Sequence, residues 1–242
     1  MSESFTNDFS WSYSRHKNFT DCKRKYYYLY YDSWGGWKAD ADESVKKLYQ
    51  LKKMTNLPML VGDVVHRTID HSLSRLRVGS EYPVEEAKAR VIALFKQAWQ
   101  DNASRNTNLF EHYYDEKPDS DKLLEFKTLM DQSIEGFYES DSYGFIKFIS
   151  SPHWLSKEKL ESFDFDGTKI WVKLDFAARH DDRIYIYDWK TGKQVKGNDT
   201  QLAVYALFAQ DKWKIELGKL RLFDIYLSKR LPVKLKVSDT IL

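Results

Sequence analysis

An α/β fold with a mixed sheet is what this sequence predicts, and three observations carry the prediction. Apolar residues recur at helical spacing through roughly the first 140 of 242 residues. From Lys169 to Lys190 the period falls to two. A further helix and strand then follow. A chain of this length buries roughly 70–75% of its unfolded surface, so it needs no disulfide or metal to fold. The expected organisation is one domain over residues 1–242, with a mainly helical part at 1–140 and a sheet core at 145–230.

Each element has its own signal. Twelve of the first 37 residues are aromatic, interleaved with Arg15, Lys17, Lys23, Arg24 and Lys25. Ser14 or Asn18–Thr20 starts a helix here. The block Tyr26–Tyr31 reads as its buried, tightly packed continuation, which Gly35-Gly36 ends. Two meanings stay open: an aromatic core helix with a solvated basic shoulder, or stacking and phosphate contacts to nucleic acid. Residues 38–56 are polar and read as a mobile loop or a poorly packed helix. Val61, Val65, Ile69, Leu73 and Leu76 form a helical stripe, as do Ala87, Val91, Leu94 and Ala98 after Pro83. A third stripe, Leu123, Phe126, Met130, Ile134 and Phe137, follows the polar stretch Asp115–Asp121.

In the second half Ile170, Val172, Leu174 and Phe176 alternate with Lys169, Trp171, Lys173 and Asp175, which is a strand pattern. Asp181-Asp182 makes the turn, and Arg183–Lys190 returns. Ile184, Ile186, Asp188 and Lys190 share one face of that strand. Thr191-Gly192 breaks it, a helix runs from Asp199-Thr200 to about Ala209, and Leu220–Leu227 is a further strand.

Composition excludes several classes. Lys plus Arg number 38 against 36 Asp plus Glu, a net charge of +2, unlike a histone-like tail. Charged residues are 31% and aromatics 16%, with ten Gly and five Pro, which excludes wholesale disorder and collagen-like repeats. One cysteine, Cys22, excludes a disulfide framework and an all-cysteine zinc site and suits a reducing compartment. No membrane span and no signal-peptide pattern are seen, so the expected setting is cytoplasmic.

The hairpin carries the chemistry. If His180 and Arg183 flank its two-residue turn, Asp175 falls opposite Asp188, and a four-residue loop leaves that pairing unchanged. Directly opposed side chains lie roughly 4.5–5.5 Å apart at Cβ, so two carboxylates there repel unless a cation or a proton intervenes. Lys190 is on the same face as Asp188. Hard oxygen ligands select Mg²⁺ or Mn²⁺, beside which a lysine orients a water nucleophile or stabilises developing charge. An exposed cross-strand charge pattern is the alternative. The acid-x-Lys pattern occurs five times in this chain, yet only Asp188-Trp189-Lys190 ends a strand with an opposed aspartate.

Those residues, followed by Thr191-Gly192-Lys193, resemble the "D…(D/E)-x-K-T-G-K" core of RecB-like PD-(D/E)XK nucleases. Three further segments match in order. Ser12-Tyr13-Ser14-Arg15 with Cys22-Lys23-Arg24-Lys25-Tyr26-Tyr27 resembles the family's "S-x-S-R…C-P-R-K-Y-Y". Gly62–His66 resembles "G-x-x-x-H", and Gln201–Tyr205 resembles "Q-x-x-x-Y". The resemblance implies a restriction-endonuclease-like core, a central mixed β-sheet flanked by helices. It implies a Mg²⁺- or Mn²⁺-dependent, exonuclease-like deoxyribonuclease acting in DNA repair, recombination or phage/CRISPR-type DNA processing. Its substrate would be single- or double-stranded DNA, and a helicase or a recombination or defence complex its partner.

By the same resemblance His66, Asp175 and Asp188 would hold the metal and Lys190 would be the catalytic ammonium. Gln201 and Tyr205, one helical turn apart, would reach toward the site or the DNA. Glu161 ranks below these as an additional acid. Arg15, Lys17, Arg24 and Lys25 would form a basic face tracking phosphates, opposite a core-facing aromatic side. Two departures stand out. Lys173 replaces a glycine two residues before the motif aspartate, which places a charge near the substrate backbone. Some relatives bind an iron–sulfur cluster through four cysteines, and only Cys22 is present, so four thiolates cannot come from this chain. The rival functions are a non-catalytic nucleic-acid-binding module and an RNA-directed nuclease.

Overall fold

The computed structural model describes residues 6–104, 108–192, 198–229 and 231–235. Strand β1 (Trp11–Ser12) leads into α1 (Tyr13–Asp21) and α2 (Lys23–Tyr27). Helices α3 (Glu43–Lys52), α4 (Leu57–Arg77), α5 (Val84–Ser104), α6 (Phe110–Tyr113), α7 (Ser120–Tyr138) and α8 (Asp141–Phe148) follow. The sheet strands are β2 (Trp154–Phe165), β3 (Thr168–His180), β4 (Arg183–Lys190), β5 (Leu220–Tyr226) and β6 (Leu231–Leu235), with α9 (Asn198–Trp213) between β4 and β5.

The three apolar stripes become α4, α5 and α7. Asn56 caps α4 by accepting the Met59 N–H at 3.0 Å, and Pro58 suits its first turn. Asp119 caps α7 through the Lys122 N–H at 2.8 Å. Residues 43–52 of the uncertain 38–56 segment are helical, with no fully buried side chain. The sheet order is β1-β3-β4-β5-β6, with β2 also on β3. β2, β3 and β4 are antiparallel neighbours, β4 and β5 run parallel, and the sheet is therefore mixed. Among the described residues no helix is long and apolar enough to cross a membrane.

Helices cover both faces. Val61, Val65 and Ile69 of α4, Val91 of α5, and Met130, Ile134 and Phe137 of α7 pack with Phe176, Ala178, Tyr187 and Trp189. On the other face Leu202, Ala206, Phe208 and Ala209 of α9 pack with Val172, Leu174, Ala177, Ile184 and Ile186. The chain after β5 runs so close to α7 that a Cβ at Gly136 would sit 2.0 Å from the Leu227 carbonyl oxygen, so only glycine fits there.

In β3 the face pattern slips. Leu174 and Ala177 both face α9, while Phe176 and Ala178 face the helical layer. Asp175 lies at that slip. The hairpin register is the expected one, with His180 opposite Arg183 and Phe176 opposite Tyr187. The paired ladder ends there, so Asp175 and Asp188 are not a ladder pair. Instead Asp175 Oδ2 accepts the Trp189 N–H at 2.8 Å. A backbone donor thus takes up one carboxylate that would otherwise face the other directly.

The N-terminal expectation needs correction. Cys22 is extended, with φ −164° and ψ 110°, because it ends α1 and caps α2; its Sγ accepts the Lys25 N–H at 3.4 Å. The chain then passes from α2 into a π-helical turn at Tyr28–Asp32, and none of these elements contains a buried residue. The aromatic block is therefore not a buried core helix. Arg15 and Lys17 lie on a different helix from Arg24 and Lys25, so the four do not share one helical face.

Candidate active site

Three elements converge where β4 leaves β3. Helix α4 brings His66, β2 brings Glu158 and β3 brings Asp175. His66 Nδ1 lies 3.2 Å from Glu158 Oε1 and 3.4 Å from Asp175 Oδ1. One donor atom from each falls within 4.8 Å of the others, a spacing suited to a metal ion. One turn before His66, a Cβ at Gly62 would lie 3.4 Å from Thr191 Oγ1, so α4 passes close to the end of β4 there.

Glu158 is the residue that sequence reasoning missed. The carboxylate favoured on that strand, Glu161, pairs with Val172 and is bonded instead by the Ser156 hydroxyl at 3.0 Å. The missing signal was Asp166-Gly167, which forms a two-residue turn with φ 50° and 70° and pairs Phe165 with Thr168. Counting back from that turn sets Lys157 opposite Phe176 and Lys159 opposite Leu174, and Glu158 falls between them, across from Asp175. Glu158 itself has φ 50°, an uncommon backbone for a non-glycine in a strand that costs on the order of 1–3 kcal/mol.

Electrostatics tie the three together. Burial disfavours charge on His66, but Asp175 and Glu158 outweigh it and hold its pKa well above 6.5. Burial likewise opposes charge on Glu158, yet hydrogen bonds from His66 and Lys173 lower its pKa. The Lys173 ammonium pairs with the Glu158 carboxylate, so this lysine is part of the cluster.

Asp188 belongs to an adjoining network rather than to the three-residue group. Its Oδ1 lies 2.9 Å from the Tyr205 hydroxyl and accepts the Gln201 amide at 3.2 Å. Its Oδ2 pairs with the Lys190 ammonium. Lys190 also donates to Gln201 Oε1 at 2.9 Å, and the Gln201 amide reaches the Tyr205 hydroxyl at 2.6 Å. Burial and the neighbouring Asp175 push the Asp188 pKa up to about 7. Buried Asp224 adds to this from β5, where it pairs in register with Asp188. Burial works against the Lys190 charge, but Asp188 reverses the balance and raises its pKa. Burial and Asp188 hold the Tyr205 phenol well above 10, so it stays protonated as a donor.

Among the expected nucleic-acid contacts, Arg15 is half-buried. Its guanidinium lies 4.4 Å from the Tyr30 ring centre and donates to Ser10 Oγ at 2.8 Å. Lys17, Arg24 and Lys25 are exposed. A cavity of about 450 Å³ joins Arg15, Ser12 and Ser14 to Lys173, Gln201 and Tyr205. Lys193 of the sequence motif lies outside the described residues.

Comparison with known proteins identifies the family. The sequence model of the PD-(D/E)XK nuclease superfamily matches residues 10–237. A comparison with curated proteins finds no match. A match spanning nearly the whole chain, on a mixed sheet between helical layers, shows that the chain belongs to the PD-(D/E)XK nuclease superfamily.

Proposed function

We propose that the chain is a RecB-like, metal-dependent deoxyribonuclease that hydrolyses phosphodiester bonds. The observation that supports this most is the meeting of His66, Glu158 and Asp175, from three separate elements, beside the Asp188–Lys190 pair. One imidazole and two carboxylates fit a divalent cation such as Mn²⁺ or Mg²⁺. These three residues would hold it, supported by the Trp189 N–H that fixes Asp175. When bound, the cation supplies Lewis-acid charge for phosphodiester hydrolysis.

The protein's own groups have separable tasks. Lys190 keeps its proton through Asp188 and presents positive charge to an attacking water or to the developing phosphorane. Tyr205 and Gln201 are positioning residues that hold Asp188 and, through it, Lys190. Residues 1–140 and 145–230 act as one domain in this reading, because α4 and the sheet each contribute part of the site.

The test is incubation of linear and covalently closed DNA, single- and double-stranded, with Mn²⁺, Mg²⁺ or EDTA. Linear DNA should be degraded with metal and spared with EDTA, and closed circles should survive an exonuclease-like enzyme. Cleavage that persists in EDTA, or is lost from no His66, Glu158 or Asp175 variant, would remove the metal centre from the proposal.

A further inference from the structure

The N-terminal segment leaves in water what a core would bury. Phe9, Phe19, Tyr27 and Tyr31 are 58, 44, 53 and 40% exposed. Phe9, Phe19, Tyr26 and Tyr31 line one cavity of about 270 Å³, with Arg15 and His16 among its walls. The rings are in mutual contact: Phe19 meets Tyr26 edge-on at 5.3 Å, and Tyr27 stacks on Tyr31 at 6.0 Å. Exposed apolar surface gathered in this way marks an interaction site more often than scattered single residues do.

Cations surround the rings. The Lys23 ammonium lies 5.6 Å from the Phe19 ring centre, and Lys17, Arg24 and Lys25 are exposed nearby in sequence. Residues 6–37 carry five Lys or Arg against three Asp. Arg15 lines this cavity and also the larger one that reaches Lys173, Gln201 and Tyr205, so the two depressions meet at its side chain.

We propose that this aromatic surface binds the unstacked bases of a single-stranded nucleic acid whose backbone continues past Arg15 toward the site. The path of the strand rests on the nuclease reading above; the binding surface does not. Stacking on a ring requires access to the face of a base, which a duplex offers only at its ends. Interleaved cations suit a polyanion, and every base has a face that a ring can stack upon, so the site reads strand state rather than sequence. A neutral apolar partner would have to desolvate the lysines and arginines without compensation.

The test uses the full chain in EDTA, with a fluorescent oligothymidylate about 20 nucleotides long, a single strand containing 2-aminopurine, and a blunt hairpin duplex. Phe19→Ala and Tyr31→Ala should each weaken single-strand binding by about 5- to 150-fold, the span expected for loss of one base stack. They should also reduce the quenching of 2-aminopurine, while Phe19→Trp and Tyr31→Phe restore both. Hairpin affinity, the thermal midpoint and, titrated separately without EDTA, Mn²⁺ affinity should stay close to wild type. Unchanged single-strand affinity in both alanine variants, or an equal loss for strand and hairpin, overturns the proposal. If the wild type cleaves nothing when Mn²⁺ or Mg²⁺ replaces EDTA but the alanine variants still lose single-strand binding, the nuclease reading fails and the binding surface stands.

Discussion

Asp188→Asn is expected to make the metal-free protein more stable, and by clearly more near pH 8 than near pH 5. Asp188 is 3% exposed, and burial with Asp175 raises its pKa from 3.8 to about 7. The folded chain therefore retains a proton that the unfolded chain releases near pH 4. This contribution to stability is complete below about pH 4 and is lost as pH rises through about 7. Roughly three pKa units at about 1.36 kcal/mol each set an upper limit of about 4 kcal/mol on that loss. Asparagine escapes it, and the pull of Lys190 on the ionised carboxylate is already contained in that pKa of about 7. The gain is therefore at most about 4 kcal/mol near pH 8, or up to about 8–16 °C in midpoint for a chain of this size. Near pH 5 the folded group is neutral but the unfolded one, with its pKa of 3.8, is already ionised, so roughly a third of that loss is already present and the variant gains correspondingly less. Urea unfolding in EDTA at both pH values, with unchanged m, measures the difference. A variant no more stable than wild type near pH 8, or stabilised equally at both, would refute the reasoning.

Three other outcomes are expected. Calorimetric titration with Mn²⁺ should show binding in the wild type and in Glu161→Gln, and its loss in His66→Ala, Glu158→Gln and Asp175→Asn, because Glu161 is tied to Ser156 away from the three-residue group. Mn²⁺ affinity should climb with pH from about 6 to about 8, since binding must displace the proton that Asp175 and Glu158 retain on His66; a flat profile would mean that the imidazole is not a ligand. Lys190→Ala should slow cleavage by about 10²–10³-fold while the slope of log K against log salt changes by no more than about one; parallel losses of rate and affinity would make it a docking residue.

Strands β3, β4 and β5 were legible because their signals are local, whereas β1, β2 and β6 were not read. Asp181-Asp182 set the register of β3 and β4, and the period of two located both strands. The end of their ladder was not legible, because it depends on the Trp189 N–H turning to Asp175, a contact that periodicity does not encode. Glu158 was recoverable from Asp166-Gly167, since a two-residue turn carries its register down both strands. His66 joins the site only through packing of α4 on the sheet, so residue-level reasoning could not place it and the family resemblance did. The aromatic block misled because aromatic density was read as burial. A cysteine that ends one helix and caps the next is too weak a sequence signal to show where the helix breaks.

The division of the acids into two groups follows from what neutralises each. Both oxygens of Asp188 are already engaged, one by Tyr205 and Gln201 and the other by Lys190. Glu158 and Asp175 are balanced instead by His66 and Lys173, so with both acids ionised and His66 protonated the formal charge of that group is zero. With a divalent cation held there in place of the imidazole proton, the group would carry a formal charge of +1, against the −1 of a phosphodiester. Attraction for the scissile phosphate would thus develop when metal loads, while Lys190 keeps its own counter-charge throughout. Separating the two groups would let the half proposed to hold metal change charge without disturbing the half that presents the lysine.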